Sequence, residues 1–258
     1  MTDIQQTMGK IAAITLFFWI LKILATTLGE TAGDMISMTL DLGYGVGILI
    51  TGLFLATLLT AQISAKNFHP VLFWAAIIGT TTMGTEISDF IDRTLGLGYM
   101  VGSLLLLTGL LIVLGVWYMK ERNLRVYPIY DRWAETMFWL AVLFSNSLGT
   151  AFGDFLSDNA GLGYIQGALV TSGVIVVVAL LHYYSRLNAT LLFWIAFIFT
   201  RPFGATFGDL LTKPHEKGGL DLGTIPASIV TLALFSMVLY LSMRHEHKKV
   251  TAPTSDAQ

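Results

Sequence analysis

The sequence predicts an all-α integral membrane protein of eight transmembrane helices, arranged as four parallel helix hairpins. Three observations carry this expectation. Of 258 residues, 54% are hydrophobic and only 12% charged, about half the charged share of a soluble domain. Long apolar runs recur, and about 20 residues rising about 1.5 Å each cross a hydrocarbon core of about 30 Å. One phrase returns four times with unslipped spacing, a Trp, a Gly ten residues on and an Asp five further: Trp19-Gly29-Asp34, Trp74-Gly84-Asp89, Trp139-Gly149-Asp154 and Trp194-Gly204-Asp209.

Composition also excludes. A net charge of −2 without a basic arm removes nucleic acid as a partner. Cysteine is absent, and with it disulfides, thiolate metal sites and thiol nucleophiles. Asp3 in the leading segment, and the lack of a small-residue cleavage site, mark the first apolar run as a retained helix.

In chain order, residues 1–10 read as a polar tail. The first run extends from Ile11 to about Gly33, interrupted by Lys22; a turn-rich segment, Asp34 to Leu42, leads to a second run, Gly43 to Ser64. The pair recurs as Pro70 to about Ser88 with Gly98 to Met119, Thr136 to about Gly153 with Gly163 to Leu181, and Leu187 to about Gly208 with Leu222 to Met243. Successive phrase Trp residues are 55, 65 and 55 apart, the extra ten residues falling in the charged connector 120–132. The expected organisation is therefore 11–119 for repeats one and two, 133–243 for repeats three and four, and a disordered polar tail at 244–258, the halves related by a shift of 120 residues. An even number of spans per repeat makes all four copies parallel. Basic residues concentrate at the termini and between repeats (Lys10, Lys66, Lys120, Arg122, Arg125, Arg132, Arg186, Arg244, Lys248, Lys249), whereas the loops inside hairpins carry only Arg93, Lys213 and Lys217, which predicts that both termini are cytoplasmic.

The second helix of each hairpin is clean and opens with Leu-Gly-Tyr-x-x-Gly (Gly43 and Gly47, Gly98 and Gly102, Gly163 and Gly167), loosened in repeat four to Gly223 and Ala227. Small residues four apart suit a helix-packing seam. The first helices carry the polar groups. Stepping back from each Asp by fours gives Thr26-Glu30-Asp34, Thr81-Thr85-Asp89, Asn146-Thr150-Asp154 and Arg201-Ala205-Asp209; Glu86 lies one position off, and Ser37, Asp92, Ser157 and Thr212 follow three residues after each Asp. Residues four apart share a helix face, and lipid cannot satisfy such groups, so the stripes must face one another or a water-filled cavity.

Carboxylates, hydroxyls and an amide are hard oxygen ligands, which points to Mg²⁺, Ca²⁺, Mn²⁺ or protons rather than soft metals. The candidate metal ligands are Asp34, Asp89, Asp154, Asp209 and Glu30. A carboxylate at a helix C-terminus also meets the negative pole of the macrodipole and calls for a cationic partner. The bland alternative is that Gly-Asp is only a helix stop. The Trp residues, 15 positions from the Asp and so roughly 22 Å away, belong near the opposite face as anchors or packing. Lys22 and Arg201 are intramembrane cations, expected to compensate charge by pairing with a carboxylate or to serve a pathway, and Arg201 is expected to neutralise one or more of the acids. Pro202 should loosen the seventh helix.

The four Trp and Gly-Asp phrases, over residues 11–243, resemble a bacterial family of multi-pass membrane proteins with four tandem two-helix repeats, described as a repeat of unknown function. The resemblance implies architecture, and residence in the inner (plasma) membrane, but no mechanism. From the stripes, the expected function is transport or export of a small inorganic cation, most plausibly divalent, exchanged for protons on the acids. Alternatives are a proton-coupled transporter of a small organic or anionic solute, an intramembrane aspartyl hydrolase, and a non-catalytic scaffold. No cofactor is expected, a divalent cation entering only as cargo. The partners expected are the lipid bilayer and that ion, with homo-oligomerisation left open.

Overall fold

Each repeat contributes one capped polar helix and one apolar helix, and the caps show where the polar helices start. In the computed structural model, which describes residues 9–251, helix α1 (Leu16–Asp34) is capped by Thr15, α3 (Pro70–Asp89) by His69, α5 (Arg132–Asp154) by Asp131 and α7 (Ala189–Thr212) by Asn188, each side chain accepting a first-turn backbone N–H. The apolar helices α2 (Gly43–Ser64), α4 (Gly98–Glu121), α6 (Gly163–Tyr184) and α8 (Thr224–Thr251) have another entry. Gly43, Gly98, Gly163 and Gly223 sit at φ +68° to +78°, a left-handed conformation that glycine adopts without penalty. The first Gly of the Leu-Gly-Tyr phrase is thus a turn residue, not part of a packing seam. The last one is: Gly47, Gly102 and Gly167 lie against Ser37, Asp92 and Ser157 of their own repeats.

Helices α1, α3, α5 and α7 form a closed ring in that order, α7 packing back on α1. The other four flank the ring, but each packs chiefly against the following repeat: α2 on α3, α4 on α5, α6 on α7 and α8 on α1. The flank helices expose Leu53, Phe54, Leu111, Ile112, Leu169 and Ile229, an apolar belt that water would not tolerate and lipid would. Among the described residues, six helices, α1, α2, α4, α6, α7 and α8, are long and apolar enough to cross a membrane. Helices α3 and α5 carry more polar side chains, including Glu86, Asp89, Glu135 and Asn146, all buried by neighbouring helices.

Several boundaries differ from the sequence reading, for physical reasons. Residues 11–14 are not helical, α1 beginning only after the Thr15 cap. The segment read as turn-rich after Asp34 continues as a π-helical turn, Met35–Thr39, and the same happens at Phe90–Thr94 and Phe155–Asn159. None of these three Asp is therefore a helix stop. Repeat four has instead a loop with a 3₁₀ turn, His215–Lys217. Helix α8 runs on to Thr251, inside the stretch expected to be disordered, and residues 252–258 lie outside those described. Residues 1–8 of the predicted N-terminal tail also lie outside, but Lys10 is buried, its Nζ 2.8 Å from Glu135 Oε2.

One end of the ring is an aromatic layer. Every phrase Trp is preceded by Phe, and Phe18, Phe73, Phe138 and Phe193 are all buried. Phe18 meets Trp74, Phe73 meets Trp139 and Phe193 meets Trp19, each ring touching the Trp of the next repeat at centroid distances of 5.5–5.7 Å. The step from repeat three to four breaks this order. There the connector between α4 and α5 folds beneath the ring, burying Val126 and Ile129, and Trp194 Nε1 donates to the Leu124 carbonyl (3.0 Å).

Candidate functional site

The ring seams bring the polar stripes together. A Cβ on Gly29 would collide with Thr81, on Gly84 with Asn146, on Gly149 with Arg201 and on Gly204 with Thr26. The phrase Gly of each repeat is the notch that receives the next repeat's polar residue, closing the circle from four to one. Thr26, Thr81, Asn146, Thr150 and Arg201 are consequently 0% exposed, and Thr85 is 1%. Their hydroxyls bond across the seams: Thr81 Oγ1 donates to the Ala25 carbonyl (3.0 Å), Thr26 Oγ1 to Thr200 (3.1 Å) and Thr85 Oγ1 to Gly29 (3.2 Å). At this level the stripes face one another in close packing.

Two intramembrane cations cross the middle of the ring. Arg201 Nη2 donates to Glu30 Oε2 (2.8 Å) and to Thr85 Oγ1, and Nη1 donates to the Thr26 carbonyl (3.3 Å). Arg201 thus forms an ion pair with one of the stripe acids, Glu30. Lys22 has no carboxylate partner: Nζ donates to Asn146 Oδ1 (3.0 Å) and lies 4.2 Å from the Phe197 ring centroid. Asn146 in turn donates from Nδ2 to Thr80 Oγ1 (3.1 Å).

At the end of the ring opposite the aromatic layer, the four Asp residues gather as two clamped pairs. Arg93 lies 3.4 Å from Asp89 and 3.2 Å from Asp154. Lys213 lies 3.1 Å from Asp209 and 2.6 Å from Asp34. Each base stands four residues after its own Asp and reaches the Asp of the next repeat. Tyr44 and Tyr99, the aromatics of the Leu-Gly-Tyr phrase, accept from Arg93 at 3.1 and 3.2 Å. Burial alone would lower the pKa of the Lys213 ammonium, but the Asp209 and Asp34 carboxylates outweigh it and hold the group above the usual lysine value. Glu30, Asp34 and Asp209 each offer a carboxylate oxygen within 4.8 Å of the others, the one metal-compatible group of three among the described residues.

Two predicted residues stand apart from this cluster. Glu86 faces α2, where it meets Thr51, and Asp92 lies against Gly102 of α4 with Ser88 donating to it (3.3 Å). Other groups escaped the sequence reading. Arg93 and Lys213 were legible only as loop charges, although their shared position four after an Asp was a signal. Glu135, bonded by Lys10 and by Gln62 Nε2 (3.1 Å), gave none, because all three partners are far apart in sequence.

A closed ring of polar helices flanked by apolar ones, built from four copies of one hairpin, defines an all-α membrane protein of internal repeats. The chain matches the family described as Repeat of Unknown Function (DUF347) over residues 17–68, 72–123, 137–188 and 192–248, and it belongs to that family. No curated protein and no solved structure matches it.

Proposed function

We propose that the protein transports a small inorganic cation, most plausibly divalent, loaded at the cluster of Glu30, Asp34 and Asp209. In this reading all eight helices span the plasma membrane, both termini are cytoplasmic and the acid cluster faces outward. Basic residues concentrated at the aromatic end support that orientation. The observation that carries the proposal is charge. Of the buried carboxylates at the acid end, Glu86 and Asp92 lie apart, while five (Glu30, Asp34, Asp89, Asp154, Asp209) cluster with three cations (Arg93, Arg201, Lys213) and leave a formal −2 when all are ionised. One divalent ion or two protons would neutralise it, and an uncompensated charge of that size is costly in a low-dielectric interior.

Lys213 Nζ already sits between Asp34 and Asp209, so an incoming ion would take those carboxylates only as the ammonium withdraws. The aromatic layer blocks the other end, and passage requires the ring to repack there. The competing readings draw less support. An anionic solute would need free cations, whereas Arg201 is held by Glu30 and Lys22 by Asn146. A hydrolase dyad of Asp34 and Asp209 would need a shared proton, and Lys213 stands between them.

The test is growth of a host overexpressing the protein, or each of Asp34→Asn, Asp89→Asn, Asp154→Asn and Asp209→Asn, across a panel of metals. The expected result is altered tolerance for one metal, lost in the Asn variants at equal expression. Indifference of every strain to every metal would sink the proposal.

A further inference from the structure

Glu86 is a buried acid that the cation site does not use. It sits on α3 at the seam with α2, fully buried, and no basic side chain forms a salt bridge with it among the described residues. Thr51 Oγ1 contacts Glu86 Oε2, while Glu86 Oε1 and Ser37 Oγ are both buried without a hydrogen-bond partner. These atoms share one spot: a Cβ on Gly47 would lie 2.5 Å from Glu86 Oε1 and 3.3 Å from Ser37 Oγ.

The hydrogen inventory is informative. Thr51 owns a single hydroxyl hydrogen and has two acceptors, the Gly47 carbonyl at 2.9 Å and Glu86 Oε2. With that hydrogen on the carbonyl, the contact to Oε2 needs a hydrogen from the acid. With it on Oε2, an ionised Glu86 would hold one hydrogen bond for a full charge. The surrounding ionisable groups offer nothing more. On α3, Asp89 is engaged by Arg93, and in the π-helical turn after it Asp92 lies against α4; on α2, Tyr44 is bonded to Arg93; and the turn after α1 presents only Ser37. The equivalent positions of the other repeats are Thr31, Ala151 and Thr206, so the seam does not need a carboxylate to form.

We propose that Glu86 is a proton-binding site, separate from the cation cluster, in which the neutral acid donates from Oε2 to Thr51 Oγ1 while Thr51 donates to the Gly47 carbonyl. Loss of that proton leaves a buried carboxylate with no cation beside it, so deprotonation loosens α2 from α3. The inference stands or falls independently of the transport reading.

Infrared spectra of the purified protein in detergent at pH 7 test it, comparing wild type with Glu86→Gln, Glu86→Thr and, as control, Asp92→Asn. The expected result is a protonated-carboxyl C=O band that both Glu86 variants lose and Asp92→Asn keeps. On raising the pH, the protection of α2 backbone amides, taken relative to their intrinsic base-catalysed exchange, should fall in wild type and not in Glu86→Gln. Loss of a carboxylate band instead, or retention of the acid band in both Glu86 variants, would overturn the proposal. So would failure of Glu86→Gln to fold at pH 7, since the amide is the neutral acid's isostere.

Discussion

The two clamps at the acid end, Arg93 between Asp89 and Asp154 and Lys213 between Asp209 and Asp34, stand 120 residues apart and are equivalent by the internal repeat. Each ties one half of the chain to the other. Their chemistry differs. Arg93 is a planar fork that keeps its charge and is steadied by two tyrosines, whereas Lys213 is a single ammonium on a flexible stem, followed by a loop instead of a π-helical turn. One layer deeper the equivalence ends: Arg201 answers to Thr81 in the first half, and Glu30 to Thr150 in the second. The frame is repeated, and its charges are individual.

The comparison breaks hardest at Arg201. Arg201→Gln leaves Glu30 buried without its cation and should destabilise the protein by about 3–5 kcal/mol in thermal unfolding, with Glu30→Gln restoring much of the loss. The same Gln at Thr81, its equivalent, faces no carboxylate and should cost less. Next come the clamps. Arg93→Met and Lys213→Met each strand two buried carboxylates, at about 1–3 kcal/mol, and Arg93→Met should cost more because Tyr44 and Tyr99 lose their donor as well. Equal losses would mean that the tyrosines add nothing.

The smallest effect is one of pH. The Lys213 pKa is raised by folding, so its contribution is complete below the unfolded value of about 10.4 and declines as pH climbs through the higher folded value. Lys213→Arg should therefore lose less stability than wild type between about pH 10 and 11.5 in denaturant melts, and behave alike at pH 7. A difference at neutral pH would show that geometry, not proton loss, separates the two bases.

Much of this was legible in the sequence. The four hairpins, the division into polar and apolar helices and the shared face of residues four apart follow from spacing, whereas convergence of the four stripes was an inference from symmetry and not from any residue. The pairing was not. Thr26 faces Gly204, 178 residues away, because the ring closes on itself, and no local pattern records a cyclic order. The polar residue three positions before each phrase Gly could be read, but not that the notch receiving it belongs to the preceding repeat. Lys22 illustrates another limit: burial next to an amide oxygen and a phenyl face satisfies an ammonium without a carboxylate, and residue types alone do not distinguish the two. The aromatic layer was half read, through its Trp residues; the Phe before each of them carried the same signal.

Because every flank helix covers the ring helix of the following repeat, no hairpin of this protein is finished by its own chain segment. Repeat one is completed only when α8 docks on α1, so the fourth hairpin seals the first. A linear solenoid can gain or lose a unit and stay folded, since each unit touches only its neighbours. A closed circle with borrowed covers has a fixed count, and deleting or duplicating one hairpin would leave an uncovered polar helix beside an unclaimed apolar one.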